Sequence, residues 1–297
     1  MKKINVGLIG FGNIGSGVVK ILRDRKSLLS EKIGIEINIK KICDKDLSTK
    51  RNVAVDKDIL TRDTSEILND PQIDVVVELI GGIHPAKEFI IEALKKGKSV
   101  VTANKALLAE SGKELFALAA DRGKSIYFEA SVGAGIPVIK SVREGLVANK
   151  FSDILGIVNG TSNFILSQMS EGGCSFRDAL ALAQKKGFAE ADPTLDIEGI
   201  DSAHKLSLLV YLCFGKIVDF KDIFVEGLSR ISLADVNYAK DLGFEIKLLA
   251  IAKKENDELE VRVHPTLIRS EHLLASVSGV NNAIYISSDL AGPLMFY

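Results

Sequence analysis

Two periodicities alternate along the first 130 residues. "INVGLIG" (4–10) is an apolar run of strand length, and "SGVVKILRDR" shortly after it carries apolar positions at helical spacing. Further runs at 35–44 ("IEINIKKICD"), 74–80 ("DVVVELI"), 98–103 ("KSVVTA") and 125–130 ("SIYFEA") predict four more strands. Helical patterns lie between them at 85–96 and 105–122. Strands alternating with helices predict an α/β chain whose first domain is a Rossmann-type, doubly wound parallel sheet. Much later, "LSLLVYLCF" (206–214) predicts a buried helix.

The first strand passes directly into Gly10-Phe11-Gly12-Asn13-Ile14-Gly15. This is GxGxxG in the strand, turn and helix-start context that makes it a dinucleotide site. Gly10 permits the turn, Gly12 lets a pyrophosphate approach the backbone, and Gly15 lets helix and strand pack closely. The helix start then offers unpaired N–H groups to phosphate. Asp44, at the end of the second strand, is placed to take the ribose 2′-hydroxyl of NAD, whereas Lys45, Lys50 and Arg51 suit the 2′-phosphate of NADP. The same "DKDLSTKR" stretch also reads as a solvated loop of mixed charge. NADP is favoured slightly, with NAD accepted as well.

Composition narrows the class. A chain of 297 residues, 46% apolar and 26% charged, is ordinary for a globular protein and long enough for two domains. A net charge of −1 offers no basic field to nucleic acid or to an acidic membrane surface. Cys43, Cys174 and Cys213 form no CxxC pair, which fits a reducing compartment rather than a disulfide framework or a zinc site. The glycines in "MKKINVGLIGFGNIG" interrupt any signal-peptide core, and the run at 206–214 is too short to span a bilayer. A cytoplasmic enzyme is expected.

The chemistry concentrates in "ADPTLDIEGIDSAHK" (191–205), where Asp192, Asp196, Glu198 and Asp201 precede Lys205. Asp201 and Lys205 have the spacing of a surface i,i+4 pair, Asp192-Pro193 suits a turn, and Asp196 suits a helix cap. Acids beside a lysine can also bind an amine and serve an oxygen that becomes charged. Locally, both readings stand.

Four segments taken in order go further: "VVTANKALLA" (100–109), "FEASVGAGIPVI" (128–139), "GIVNGTSNFIL" (156–166) and "AQKKGFAEADPTLDIEGIDSAHK" (183–205). Together they resemble homoserine dehydrogenase. The resemblance implies reversible NAD(P)H-dependent reduction of L-aspartate 4-semialdehyde to L-homoserine, on the route to threonine and methionine. It implies a nucleotide-binding domain over 1–130 and an α/β substrate and dimerisation domain over 131–297, giving a homodimer. By resemblance, Lys205 is the acid/base lysine and Lys105 a second lysine acting beside it and near the cofactor. Glu190, Asp196 and Asp201 match substrate-binding acids, while Asp192 and Glu198 stay structural. In "NGTSNFIL", Gly160 matches a position near nicotinamide and substrate, with Thr161 and Asn163 in the substrate pocket. A plain Thr or Ser helix cap is the local alternative there. Gly279 is expected to approach the cofactor, and His272 to be a surface residue.

The family also holds a monovalent cation, sodium by expectation. Its ligands transfer to the Glu129 carboxylate and the carbonyls of Val132, Ala134 and Ile136. Ala134 replaces a usual glycine, a change that backbone ligation survives if φ there is negative. The chain stops at "SSDLAGPLMFY", before the glycine-rich turn, return helix and regulatory module of family members. No feedback through such a module is expected, and a fragment or impaired sensor of the same fold is the alternative. Aspartate-semialdehyde dehydrogenase, the competing enzyme, needs a nucleophilic cysteine with a base partner, and neither Cys174 nor Cys213 has one in sequence.

Overall fold

A computed structural model describes residues 2–297, which divide into two compact units between Ser131 and Val132. The first contains β1 (Lys2–Ile9), α1 (Asn13–Asp24), α2 (Lys26–Ile33), β2 (Ile35–Cys43), β3 (Leu60–Thr61), α3 (Ser65–Leu68), β4 (Val75–Glu78), α4 (Ala86–Lys95), β5 (Ser99–Thr102), α5 (Lys105–Asp121) and β6 (Ile126–Tyr127). All six strands are parallel, in the order β3-β2-β1-β4-β5-β6. The order reverses at β1, so the glycine loop that follows β1 sits at the topological switch point, where such sheets bind ligands. Val6, Leu8, Ile42 and Val77 are buried in the sheet core, and Phe11 and Val19 pack on it.

The expected doubly wound fold is present. The strand expected over 125–130 is shorter, because the chain turns after Tyr127 and Ser131 N–H donates back to Phe128 O. Helix α2 went unpredicted: it has no buried residue, so no apolar period marks it.

The second unit contains α6 (Val138–Lys140), β7 (Phe151–Ile157), α7 (Gly160–Gly172), α8 (Phe176–Lys185), α9 (Thr194–Ile197), α10 (Ile200–Phe214), β8 (Phe224–Val225), α11 (Leu233–Asp241), β9 (Phe244–Glu255), β10 (Glu258–Arg269), β11 (Ala283–Ser288) and β12 (Gly292–Phe296). Its sheet runs β12-β11-β7-β9-β10-β8, antiparallel except for the short β8 edge. Helices α7, α10 and α11 pack on β9, which is buried on both faces over 246–252. Helix α10 begins after Gly199, whose φ of 79° is the left-handed conformation that glycine tolerates. A side chain there would press on Val225 and Val263.

Candidate active site

In the first unit the glycine loop has the geometry a dinucleotide needs. Gly10 has φ 104°, and its N–H donates to Cys43 O at 2.8 Å. A Cβ on Gly15 would lie 2.0 Å from Gly10 O, so only glycine lets helix and turn meet, whereas Gly12 faces open space. Asn13 and Ile14 are exposed at the helix start and Phe11 is buried beneath it. A cavity of about 540 Å³ opens at the carboxyl ends of β1, β2 and β4, lined by Gly10, Gly12, Asp44, Lys45, Arg62 and Thr64 among others.

The loop after β2 is organised rather than merely solvated. Asp44 accepts from Phe11 N–H at 2.5 Å and Asp46 N–H at 2.8 Å, one bond to each oxygen. Asp46 accepts from Ser48 and Thr49, bonds that hold its carboxyl well below the usual range. Arg51 spends its guanidinium on the carbonyls of Phe11, Thr49 and Asp46. It therefore latches the loop to the glycine turn, while Lys50 is exposed and does not line the cavity. Arg62, overlooked in the sequence, does line it. Its only sequence signal was a cation one residue past the short β3.

Lys105 opens α5 directly after β5. Asn104 caps that helix, accepting from Leu107 N–H, and its amide also donates to Gly82 O at 2.7 Å. Glu78, fully buried at the end of β4, accepts from Thr102 Oγ1 at 2.7 Å and Ile80 N–H at 2.8 Å. These bonds fix the segments on either side of Lys105's helix start.

In the second unit the acids and the lysine meet. Asp201 occupies the first turn of α10, where the helix dipole favours an anion, and Lys205 lies one turn on. Lys205 Nζ donates to Asp201 Oδ2 at 2.5 Å and to Val158 O at 2.6 Å. Their side chains are only 16% and 10% exposed, so this i,i+4 pair is not a surface decoration. Asn159 is the hub. Its Oδ1 caps α7 by accepting from Ser162 N–H at 2.8 Å, and its Nδ2 donates to Asp196 Oδ1 at 2.7 Å and Asp201 Oδ2 at 2.9 Å. Asp196 thus faces Asn159 instead of capping a helix, and the α7 cap is Asn159 rather than Thr161 or Ser162.

The other expected site residues divide. Glu190 is exposed, and Asp192 holds Thr194 in a turn. Thr161 is buried and donates to Phe188 O at 2.6 Å. Asn163 is buried, with its Nδ2 committed to the carbonyls of Val277 and Asn281. A Cβ on Gly160 would lie 2.6 Å from Val280 O, so loop packing already demands that glycine. Gly279 has φ 64° and donates its N–H to Ser167 Oγ at 3.0 Å. His272 is half-buried rather than superficial: Nδ1 accepts from Leu274 N–H, and the ring sits tilted against Tyr285 at 5.3 Å between centroids.

Ala134 departs from expectation, with φ 53°, the left-handed value rather than a negative one. The tight turn closed by Ile136 N–H on Gly133 O imposes it. Burial pushes the Cys213 thiol up to about 12, and burial with nearby carboxylates pushes Cys43 up to about 11. Neither is poised as a nucleophile. No His, Cys, Asp and Glu cluster suited to a metal ion, and no helix long and apolar enough to cross a membrane, occurs among the described residues.

The family models for the homoserine dehydrogenase NAD-binding domain and for homoserine dehydrogenase match residues 10–129 and 137–297. The homoserine dehydrogenase of Bacillus subtilis (strain 168) is 44% identical over 297 residues, covering all of this chain and 69% of the relative. A solved homoserine dehydrogenase from Thiobacillus denitrificans superposes with TM-score 0.95 at 46% identity, over 100% of this chain and 69% of that one. A hyperthermophilic archaeal homoserine dehydrogenase in complex with NADPH superposes with TM-score 0.81 at 27% identity, over 99% and 91%.

Proposed function

The chain belongs to the homoserine dehydrogenase family, and from that premise we propose how its residues divide the work of an NAD(P)-dependent oxidoreductase. A bound nicotinamide cofactor would supply or accept the hydride in the interconversion of L-aspartate 4-semialdehyde and L-homoserine. The glycine loop from Gly10 to Gly15 holds its pyrophosphate, with Gly12 left open for that approach.

The observation that carries the assignment of roles is the Asp196–Asn159–Asp201–Lys205 network. An ammonium held by a carboxylate and a carbonyl keeps one proton direction free for a substrate oxygen. Lys205 gives its proton to the oxygen that hydride addition charges, and takes it back in the oxidation. Asp201 orients Lys205, and the family resemblance gives Lys105 the role of second lysine. Glu190 and Asp196 bind the substrate ammonium, with Gly160 and Thr161 shaping the pocket. Asn163 contributes through the loop it holds rather than by touching substrate.

NADP is the preferred cofactor in this reading. Lys45 and Arg62 line the cavity beside Asp44, and among the described residues neither forms an ion pair or side-chain hydrogen bond. Two unspent cations suit a 2′-phosphate, and the NADPH complex of the archaeal relative supports the choice. The sodium ion expected on Glu129 and the carbonyls of Val132, Ala134 and Ile136 is not carried into this reading, because φ at Ala134 is positive. A homodimer is proposed through the second unit's sheet, on the face where a groove lies over half-buried Leu155 beside Leu249 and Ile251. The reaction is placed in threonine and methionine biosynthesis, in the cytoplasm.

The test is NADPH oxidation with aspartate semialdehyde. Lys205→Ala is expected to lower kcat about 10²–10⁴-fold while NADPH fluorescence titration shows unchanged binding. Near-normal turnover would falsify the assignment.

A further inference from the structure

Lys247 is the one buried lysine on the second unit's sheet among the described residues, 4% exposed on β9. Burial pushes its ammonium down, and the carboxylates of Glu245 and Glu171 pull it back up. Taking an ammonium out of water costs several kcal/mol, and an apolar side chain of similar length would fill the site more cheaply. What this lysine does with its charge is therefore informative. It donates to Val277 O at 2.7 Å.

Val277 begins the segment 277–282 that connects a 3-10 turn (Leu273–Ser276) to β11. Three bonds from α7 hold the same segment. Asn163 Nδ2 reaches Val277 O at 3.3 Å and Asn281 O at 3.1 Å, and Ser167 Oγ accepts from Gly279 N–H at 3.0 Å. So held, the loop presses Val280 O on Gly160, where a Cβ would lie 2.6 Å from it. Of these anchors only Lys247 comes from the sheet. The others ride on α7 and would move with it.

We propose that Lys247 is a positioning residue for catalysis: its ammonium ties the 277–281 loop to β9, and so fixes that loop against the first turn of α7. The inference rests on the reading above that this turn, with Asn159, Gly160 and Thr161, belongs to the active site. Without the tie, the loop and the helix start lose their common reference to the sheet. Misplacement of about 1 Å at a reacting centre costs roughly 10²-fold in rate.

Lys247→Met keeps length and apolar bulk and removes the donor. Hydrogen exchange of peptides covering 273–283 reads the tie itself, independently of activity. The expected result is faster exchange confined to that loop, unchanged exchange in β7 and α10, and a kcat lowered about 10–10²-fold. General unfolding would instead speed exchange in β7 and α10 as well. Unchanged exchange in the loop overturns the tie. Faster loop exchange with normal kcat overturns the positioning role, while Lys205→Ala separately decides whether the neighbouring site is catalytic. Should Lys247→Met fail to fold, Ser167→Ala removes the acceptor of Gly279 N–H together with a donor to Asn163 O inside α7; it must loosen the same loop and slow turnover, or the proposal falls.

Discussion

Asn159 offers the sharpest test of the site, because one 6%-exposed side chain makes three bonds, to the start of α7 and to two acids. In Asn159→Ala, α7 loses its cap, worth about 1 kcal/mol. Asp196 and Asp201 each lose a donor, and a hydrogen bond to a charged group contributes about 1.5–3 kcal/mol. Asp196 is only half-buried, so water recovers part of its share. The expected loss is about 3–5 kcal/mol, which for a chain this size lowers Tm by roughly 6–20 °C. Asn159→Asp separates the cap from the network. It keeps the acceptor for Ser162 N–H but sets a third carboxylate against two others. Crowding raises the carboxyl pKa of the new group in the folded state, so the sign follows directly. The variant's deficit is smallest below about pH 4, where that group is protonated folded or unfolded, and grows as pH rises through neutrality. Thermal unfolding by circular dichroism at pH 4 and pH 7.5, with turnover at pH 7.5, measures both effects. A deficit under about 1 kcal/mol for Asn159→Ala at both pH values, with full activity, refutes the view that this amide organises the acids and Lys205.

Other consequences are simpler to state. Arg62→Ser should raise KM for NADPH about tenfold while leaving KM for NADH within twofold, since a lost charge-assisted contact is worth about 1.5 kcal/mol; equal effects on both cofactors would remove the 2′-phosphate role. Ala134→Gly should stabilise by about 0.5–1 kcal/mol, the left-handed penalty relieved less the extra freedom of an unfolded glycine; a lower Tm contradicts the strain argument. With its folded-state pKa pushed up to about 12, Cys213 keeps its full contribution below the unfolded thiol value and loses it as pH rises from about 9 towards 12. Lys247 and Lys98, whose burial pushes their ammonium groups down, act oppositely there. The readout is therefore the stability difference between wild type and Cys213→Ala, which should shift in favour of the variant across that window.

Local pattern was enough to read the first unit and the chemistry class. Period and glycine spacing are local properties, so β1, the GxGxxG turn and α1 could be read from them, as could β2, β4, β5, α4 and α5. Four motifs in order were enough to mark the family. Which side chains carry the site's geometry was decided only by tertiary structure. Asn159 and Asp201 are 42 positions apart, and Lys247 and Val277 are 30 apart. Bonds of that kind leave no period along the chain. Arg51 had the charge for a 2′-phosphate and spends it on carbonyls; Arg62 looked unremarkable and lines the cavity. Gly160 had the right place for a ligand contact, yet a carbonyl from 120 residues downstream already excludes any side chain there. Charge and hydrogen-bonding capacity are written in the sequence, but the partner that uses them is chosen when distant segments pack, because only then does burial make each unsatisfied group costly.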